Sequence, residues 1–150
     1  MGQSLVKNYL HLIFSTKNRE PIIEKTIQPE LYNYLGGVCN NLESYPVKIV
    51  GHDDHVHIFC MLSKKIALIK LMEELKSHSS KWIKTKGENF NNFYWQDGYG
   101  AFSVNPSEIQ IVTDYITNQE EHHLKKTFQD EYRSFLKKYN VEYDERYVWD

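Results

Sequence analysis

Two histidines separated by one residue, His55-Val56-His57, form the first group in this sequence with obvious chemical capacity. On a β-strand, residues two apart share a face, so both imidazoles project together while Val56 enters the other side. Two neutral imidazoles held in that way can bind a divalent metal and require one or two further ligands. A pair of strand histidines satisfied by hydrogen bonds has the same spacing, so the motif alone decides nothing. Among the 11 tyrosines, Tyr115 stands apart because Gln119 follows it by four residues. On a helix the two side chains share a face, on the flank of an apolar stripe of Ile109, Val112 and Ile116. That position can present a phenol and an amide to a site beside a sheet. On spacing alone, a boundary tyrosine with its hydroxyl in water is the commoner arrangement.

The elements that must position these groups are legible in the pattern. Tyr9 to Ser15 reads as a buried strand and Asn18 to Pro21 as a loop. Gln28 to Leu42 carries a helical stripe of Leu31, Tyr34, Leu35, Val38 and Leu42, interrupted by Gly36-Gly37, a pair that permits close packing on a sheet. Val47 to Val50 and His55 to Leu62 flank Gly51-His52-Asp53-Asp54, which predicts a hairpin. A long helix is expected over Ile66 to Lys86, with Leu68, Met72, Leu75 and Trp82 near one face. After a loop at Asn89 to Asn92, Phe93-Tyr94-Trp95 and Gly100 to Val104 look like strands. Asn105, Pro106 and Glu108 then supply a cap, a first-turn proline and a capping-box acid, and the helix they open should run to about His123. Beyond Thr127 the chain is partly helical through Leu136. The order β-α-β-β-α-β-α predicts a single α+β domain, a ferredoxin-like antiparallel sheet with helices packed on it.

Composition sets bounds on function. The chain has 150 residues, 41% hydrophobic and 25% charged, enough for one domain with a real core. No apolar run approaches the ~20 residues of a membrane span, and the N-terminal pattern is not that of a signal peptide. Cys39 and Cys60 are too few for a disulfide framework and read as buried thiols, which places the chain in the cytoplasm. A net charge of −2 argues against duplex binding through bulk charge. Lysines nonetheless concentrate between Lys64 and Lys86. Within that run Lys76, Ser77, Ser79, Ser80 and Lys81 could touch phosphates or simply form a solvated helix face. His122 and His123 could favour the helix C-terminus or lie near DNA. His52, Asp53 and Asp54 read as turn residues, with a hydrogen bond to the metal-binding pair as the alternative. Trp95 and Tyr99 suit a core or interface better than a base-stacking platform.

Three segments together resemble one family. Gly51-His52-Asp53-Asp54-His55-Val56-His57, Phe93-Tyr94-Trp95-Gln96-Asp97-Gly98-Tyr99 and Tyr115-Ile116-Thr117-Asn118-Gln119-Glu120-Glu121-His122-His123 resemble, in order and spacing, the single-tyrosine HUH transposases of bacterial insertion sequences and their REP-associated relatives. The resemblance implies that His55 and His57 bind Mg²⁺ or Mn²⁺, that Gln119 is the third ligand and that Tyr115 is the nucleophile. It implies a homodimer whose tyrosine helix can complete the partner's site, acting on single-stranded DNA with hairpins at element ends. The expected product is a 5′-phosphotyrosine and a free 3′-hydroxyl. Two other functions remain open on the residues: a catalytically silent hairpin-binding relative, and a small metal-dependent hydrolase that uses water as its nucleophile.

Overall fold

The computed structural model describes residues 2–150, Glu120 by its backbone alone. Its four strands are β1 (Tyr9–Ser15), β2 (Pro46–Gly51), β3 (His55–Met61) and β4 (Gly100–Val104). They form one antiparallel sheet in the order β2-β3-β1-β4. Helix α1 (Gln28–Asn41) links β1 to β2, and α2 (Leu68–Ile83) links β3 to β4. This is the split βαβ arrangement of the ferredoxin-like fold, as the element order predicts. Three helices follow: α3 (Ile109–Thr117), α4 (Gln119–His123) and α5 (Phe128–Lys138).

Strand alternation divides the side chains of β1 and β3 between two layers. Leu10, Leu12 and Phe14 of β1, with Val56, Ile58 and Cys60 of β3, pack against Leu31 and Leu35 of α1 and Leu71, Met72 and Leu75 of α2. The other face carries His11, Ile13, His55, His57 and Phe59. Here Phe59 and Val104 pack on Ile116 of α3, while Ile13 and Phe102 pack on Phe128, Tyr132 and Leu136 of α5. The histidines thus lie on the face shared by these two small apolar clusters.

Several expectations need correction. Phe93-Tyr94-Trp95 is not a strand of the sheet: Trp95 makes a single isolated bridge to Thr16. Its neighbours bond to the end of β1 instead, Lys17 N–H donating to Tyr94 O and Gln96 N–H to Ser15 O. Phe93 and Trp95 are buried, and the Trp95 ring meets Phe14 edge-on. Phe93 and Trp95 therefore serve the core, in keeping with the reading of Trp95 as core, while Tyr94 between them is exposed. Gly36 faces Ile49 and Pro46, but a Cβ there would stand 3.7 Å from Ile49 Cδ1, so close packing does not require glycine.

The helix expected to run to His123 breaks at Asn118, which adopts φ −95° and ψ 28°. Before the break, Thr113 and Thr117 hydroxyls donate back to Ile109 and Thr113 carbonyls, a pattern that bends helices. At the start, Asn105 Oδ1 accepts from Ser107 N–H and the first turn is a 3-10 turn rather than α-helix. Cys39 and Cys60 are buried free thiols. Among the described residues no helix is long and apolar enough to cross a membrane.

Candidate active site

The β2–β3 hairpin sets the two histidines. Its tightness depends on Gly51, where a Cβ would stand 2.2 Å from the His55 carbonyl oxygen. His55 and His57 are both fully buried on the face covered by α3, α4 and α5. Asp54 Oδ1 lies 2.7 Å from His55 Nδ1, so a neutral His55 donates there and keeps its Nε2 lone pair for the interior. The turn residue Asp54 thus makes the hydrogen bond to the histidine pair that its position allowed. On the neighbouring strand, His11 Nε2 is 2.7 Å from His57 Nδ1. When His57 Nδ1 is the donor, His57 Nε2 also presents a lone pair to the interior.

Gln119, at the start of α4, is fully buried with Oε1 3.4 Å from His55 Nε2. The break at Asn118 therefore does not carry it away from the histidines: its Nε2 still reaches the Tyr115 carbonyl at 3.5 Å. Tyr115 is half-buried, with its ring centroid 6.2 Å from that of His57. Its hydroxyl donates to Glu131 Oε2, and Glu131 Oε1 lies 3.1 Å from His57 Nε2, which donates there in the tautomer whose Nδ1 accepts from His11.

Glu131 and His11 are site residues that the sequence reading missed, and His123, read as a helix-end or DNA-facing residue, joins them. His123 Nε2 lies 3.1 Å from both His55 Nε2 and Gln119 Oε1. Its neighbour His122 stacks on Tyr115, centroids 4.4 Å apart, and His122 Nε2 is buried with no hydrogen-bond partner. A signal for Glu131 does exist. Phe128, Glu131, Tyr132 and Phe135 follow the spacing i, i+3, i+4, i+7, which puts a carboxylate on the apolar stripe of α5. For His11 the signal is its place on the same strand face as Ile13 and Tyr9.

The electrostatics follow from burial and proximity. Burial holds His57 below the ordinary imidazole range, and burial beside His57 holds His11 further below it. His123 is pushed down to about 4 by burial and by His55. Burial by itself would raise Glu131, but the hydrogen bond from His57, that residue's charge and the Tyr115 hydroxyl outweigh it, so the group remains a carboxylate. Burial and the Glu131 charge push the Tyr115 phenol well above its usual value.

Ligand atoms of His55, His57 and Glu131 all lie within 4.8 Å of one another. Two atoms each ~2.1 Å from one small divalent cation stand at most ~4.2 Å apart. The distances from Glu131 Oε1 to His57 Nε2 (3.1 Å) and His55 Nε2 (3.8 Å) fall within that limit, as does the 3.4 Å from Gln119 Oε1 to His55 Nε2. The donor set of imidazole, carboxylate and amide oxygen suits such an ion. A cavity of about 260 Å³ between α3 and α5 opens onto Tyr115 and Glu131, with Lys126 and Lys138 in its lining.

The basic segment lies elsewhere. Lys76, Ser80 and Lys81 belong to α2, in the layer across the sheet from His55 and His57. Lys76 Nζ donates to the carbonyls of Gln96, Asp97 and Gly98 at 2.8, 3.0 and 2.7 Å. Ser80 Oγ accepts from Lys84 Nζ at 3.2 Å, and Lys81 is exposed.

The model of the IS200-like transposase family matches residues 4–119. The chain belongs to that family. The matched span takes in His55, His57, Tyr115 and Gln119 and ends before α5. Among solved structures, the chain is similar to a candidate transposase from Deinococcus radiodurans R1, with TM-score 0.62 and 20% identity over 79% of this chain and 96% of that one. It is also similar to a REP-associated tyrosine transposase bound to a REP hairpin, with TM-score 0.59 and 16% identity over 82% of this chain and 73% of that one. At these identities both likenesses speak for the fold. No curated protein matches the chain.

Proposed function

We propose that this IS200-like transposase family member cleaves and rejoins single-stranded DNA through a covalent link to Tyr115. The observation that carries the proposal is the convergence, within one chain, of the Tyr115 hydroxyl with His55, His57, Gln119 and Glu131. A phenol has an ordinary pKa near ~10 and is a weak nucleophile at neutral pH. Here burial and the facing carboxylate raise its pKa further, so the phenol is protonated at rest.

The Tyr115 oxygen gives up its proton and attacks phosphorus, the P–O3′ bond breaks with the 3′ oxygen taking up a proton, and the phosphate stays on the 5′ side of the downstream nucleotide. The products are a 5′-phosphotyrosine and a free 3′-hydroxyl. Because one phosphodiester is exchanged for another ester, rejoining needs no external energy source. His55, His57 and Gln119 would hold Mg²⁺ or Mn²⁺, which when bound polarises a phosphate oxygen and stabilises charge in the transition state. Asp54 and His11 orient the two imidazoles, and Glu131 holds the nucleophile's hydroxyl.

The substrate is proposed to be a single strand bearing a hairpin near the element's end, in line with the hairpin held by the REP-associated relative. Ser80 and Lys81 of α2 are assigned to phosphates of the hairpin, away from the scissile bond; Lys76 would join them only by leaving its three carbonyls. A homodimer is proposed as the working form. Tyr115 meets the histidines of its own chain, so sharing sites would require α3 and α4 to exchange between subunits. The cytoplasm is the proposed compartment.

The test is to incubate the protein and Mn²⁺ with single-stranded DNA from the gene's own flanks and resolve the mixture on a denaturing gel. A covalent protein–DNA band should form with the native protein and vanish in Tyr115→Phe, while hairpin binding survives. Binding without a band would favour the silent relative, and turnover indifferent to Tyr115 would favour the hydrolase.

A further inference from the structure

The site contains a group that lies outside the family-matched span. Glu131 belongs to α5, whereas the match ends at residue 119. Thr127 caps α5 by accepting from Asp130 N–H at 3.1 Å, and Phe128, Tyr132 and Leu136 seat the helix on the sheet. That seating drives Glu131, 2% exposed, into the space between His57 and Tyr115. Burying a carboxylate is costly unless it is paired, and a hydrophobic residue of similar size is often the more stable choice at such a position.

The surroundings of Oε1 suit a cation site as well as an ion pair. Three imidazole nitrogens face this one oxygen: His57 Nε2 at 3.1 Å, His123 Nε2 at 3.7 Å and His55 Nε2 at 3.8 Å. In its neutral form His55 commits its proton at Nδ1 to Asp54, so its Nε2 is a lone pair. Gln119 Oε1, an acceptor only, stands 3.4 Å from that lone pair. An imidazole lone pair, an amide oxygen and a carboxylate oxygen thus converge on one small volume, where the ring N–H groups of His57 and His123 are within reach of them and a divalent cation would find all three as ligands. Oε2, meanwhile, accepts from the nucleophile.

We propose that Glu131 is a constituent of the catalytic centre: Oε1 completes the divalent-cation ligand set of His55, His57 and Gln119, and Oε2 holds the Tyr115 hydroxyl beside that cation. The proposal rests on the strand-transfer reading for its purpose, but not for its test. α5 is then part of the active site rather than an appendage to it, and the chain carries one anionic ligand beyond the neutral set of two imidazoles and an amide.

The experiment measures Mn²⁺ affinity by calorimetry and the visible spectrum of bound Co²⁺ for the full chain without DNA. Glu131→Gln should weaken Mn²⁺ by about tenfold or more, the scale of loss seen when a group supporting a bound metal is removed. It should also change the Co²⁺ band shape, because an oxygen anion has left the coordination sphere. Should Glu131→Gln fail to fold, Glu131→Asp carries the test: it keeps the charge, shortens the reach, and must shift the Co²⁺ band from that of the native chain. Native affinity with an unaltered Co²⁺ spectrum in the variant, or no Mn²⁺ binding by the native chain, overturns the proposal. Loss of Mn²⁺ affinity in Glu131→Gln without any DNA adduct from the native chain would sink strand transfer alone and leave the Glu131 assignment standing.

Discussion

The Tyr115 hydroxyl and the Glu131 carboxylate form a direct hydrogen bond that joins the last helix of the family-matched span to a helix outside it. The two residues should therefore be energetically coupled. In a double-mutant cycle of Tyr115→Phe and Glu131→Gln, measured by urea unfolding in chelator, the coupling should be about 0.5–3 kcal/mol. Strict additivity would contradict the contact.

The hydrogen bond that His55 donates to Asp54 and the one between His57 and His11 fix how the two imidazoles face the centre. Asp54→Ala and His11→Phe should each lower Mn²⁺ affinity by about 10- to 100-fold, read by calorimetry. His11→Phe is the cleaner variant, because a ring is retained where His11 meets Phe135 edge-on at 5.1 Å. Unchanged affinity in both would show that neither residue orients the ligands.

Gly51 is required by close approach of the backbone. A Cβ there would meet His55 O at 2.2 Å and Val56 Cα at 2.8 Å, so the hairpin must shift at the residue it is meant to hold. Gly51→Ala should destabilise the fold by about 1–3 kcal/mol in urea unfolding and weaken Mn²⁺ binding as well. Glycine at position 37 of α1 has nothing within 4 Å of a Cβ, so Gly37→Ala is the matched control and should not destabilise.

The buried imidazoles fix the sign of the acid response. His123 titrates at about 4 when folded, and burial holds His57 and His11 below the ordinary value. An unfolded histidine takes up its proton near pH ~6.5, so between that pH and about 4 the unfolded chain binds more protons and stability falls as pH falls. Glu131, with its folded value depressed, adds a loss only at lower pH, as it is protonated. In chelator the melting temperature should be lower at pH 5 than at pH 7, and the decrease should be smaller in His123→Gln. A melting temperature that rose on acidification would contradict this account of the histidines.

The strands and their hairpin were legible because alternation and turn residues are local signals: Gly51-His52-Asp53-Asp54 announces the hairpin, and His-x-His on a strand sends both rings to one face. Tyr115 and Gln119 were paired by spacing but given roles only by the family resemblance; although the helix between them breaks, Gln119 keeps its reach to the Tyr115 carbonyl. Phe93-Tyr94-Trp95 misled because a run with alternate aromatics buried looks alike whether it pairs with a sheet or plugs the end of one. Glu131 and His11 stayed hidden for a different reason. Their roles arise only when α5 settles on the sheet and β1 lies beside β3, contacts between distant parts of the chain that no local period encodes.

The most direct measurement is peptide mapping by mass spectrometry of the protein–DNA product formed with Mn²⁺ and single-stranded flank DNA, after nuclease trimming. The account predicts a nucleotide joined through its 5′-phosphate to the peptide containing Tyr115. A nucleotide on a different tyrosine, or cleaved DNA with no modified peptide, would contradict it.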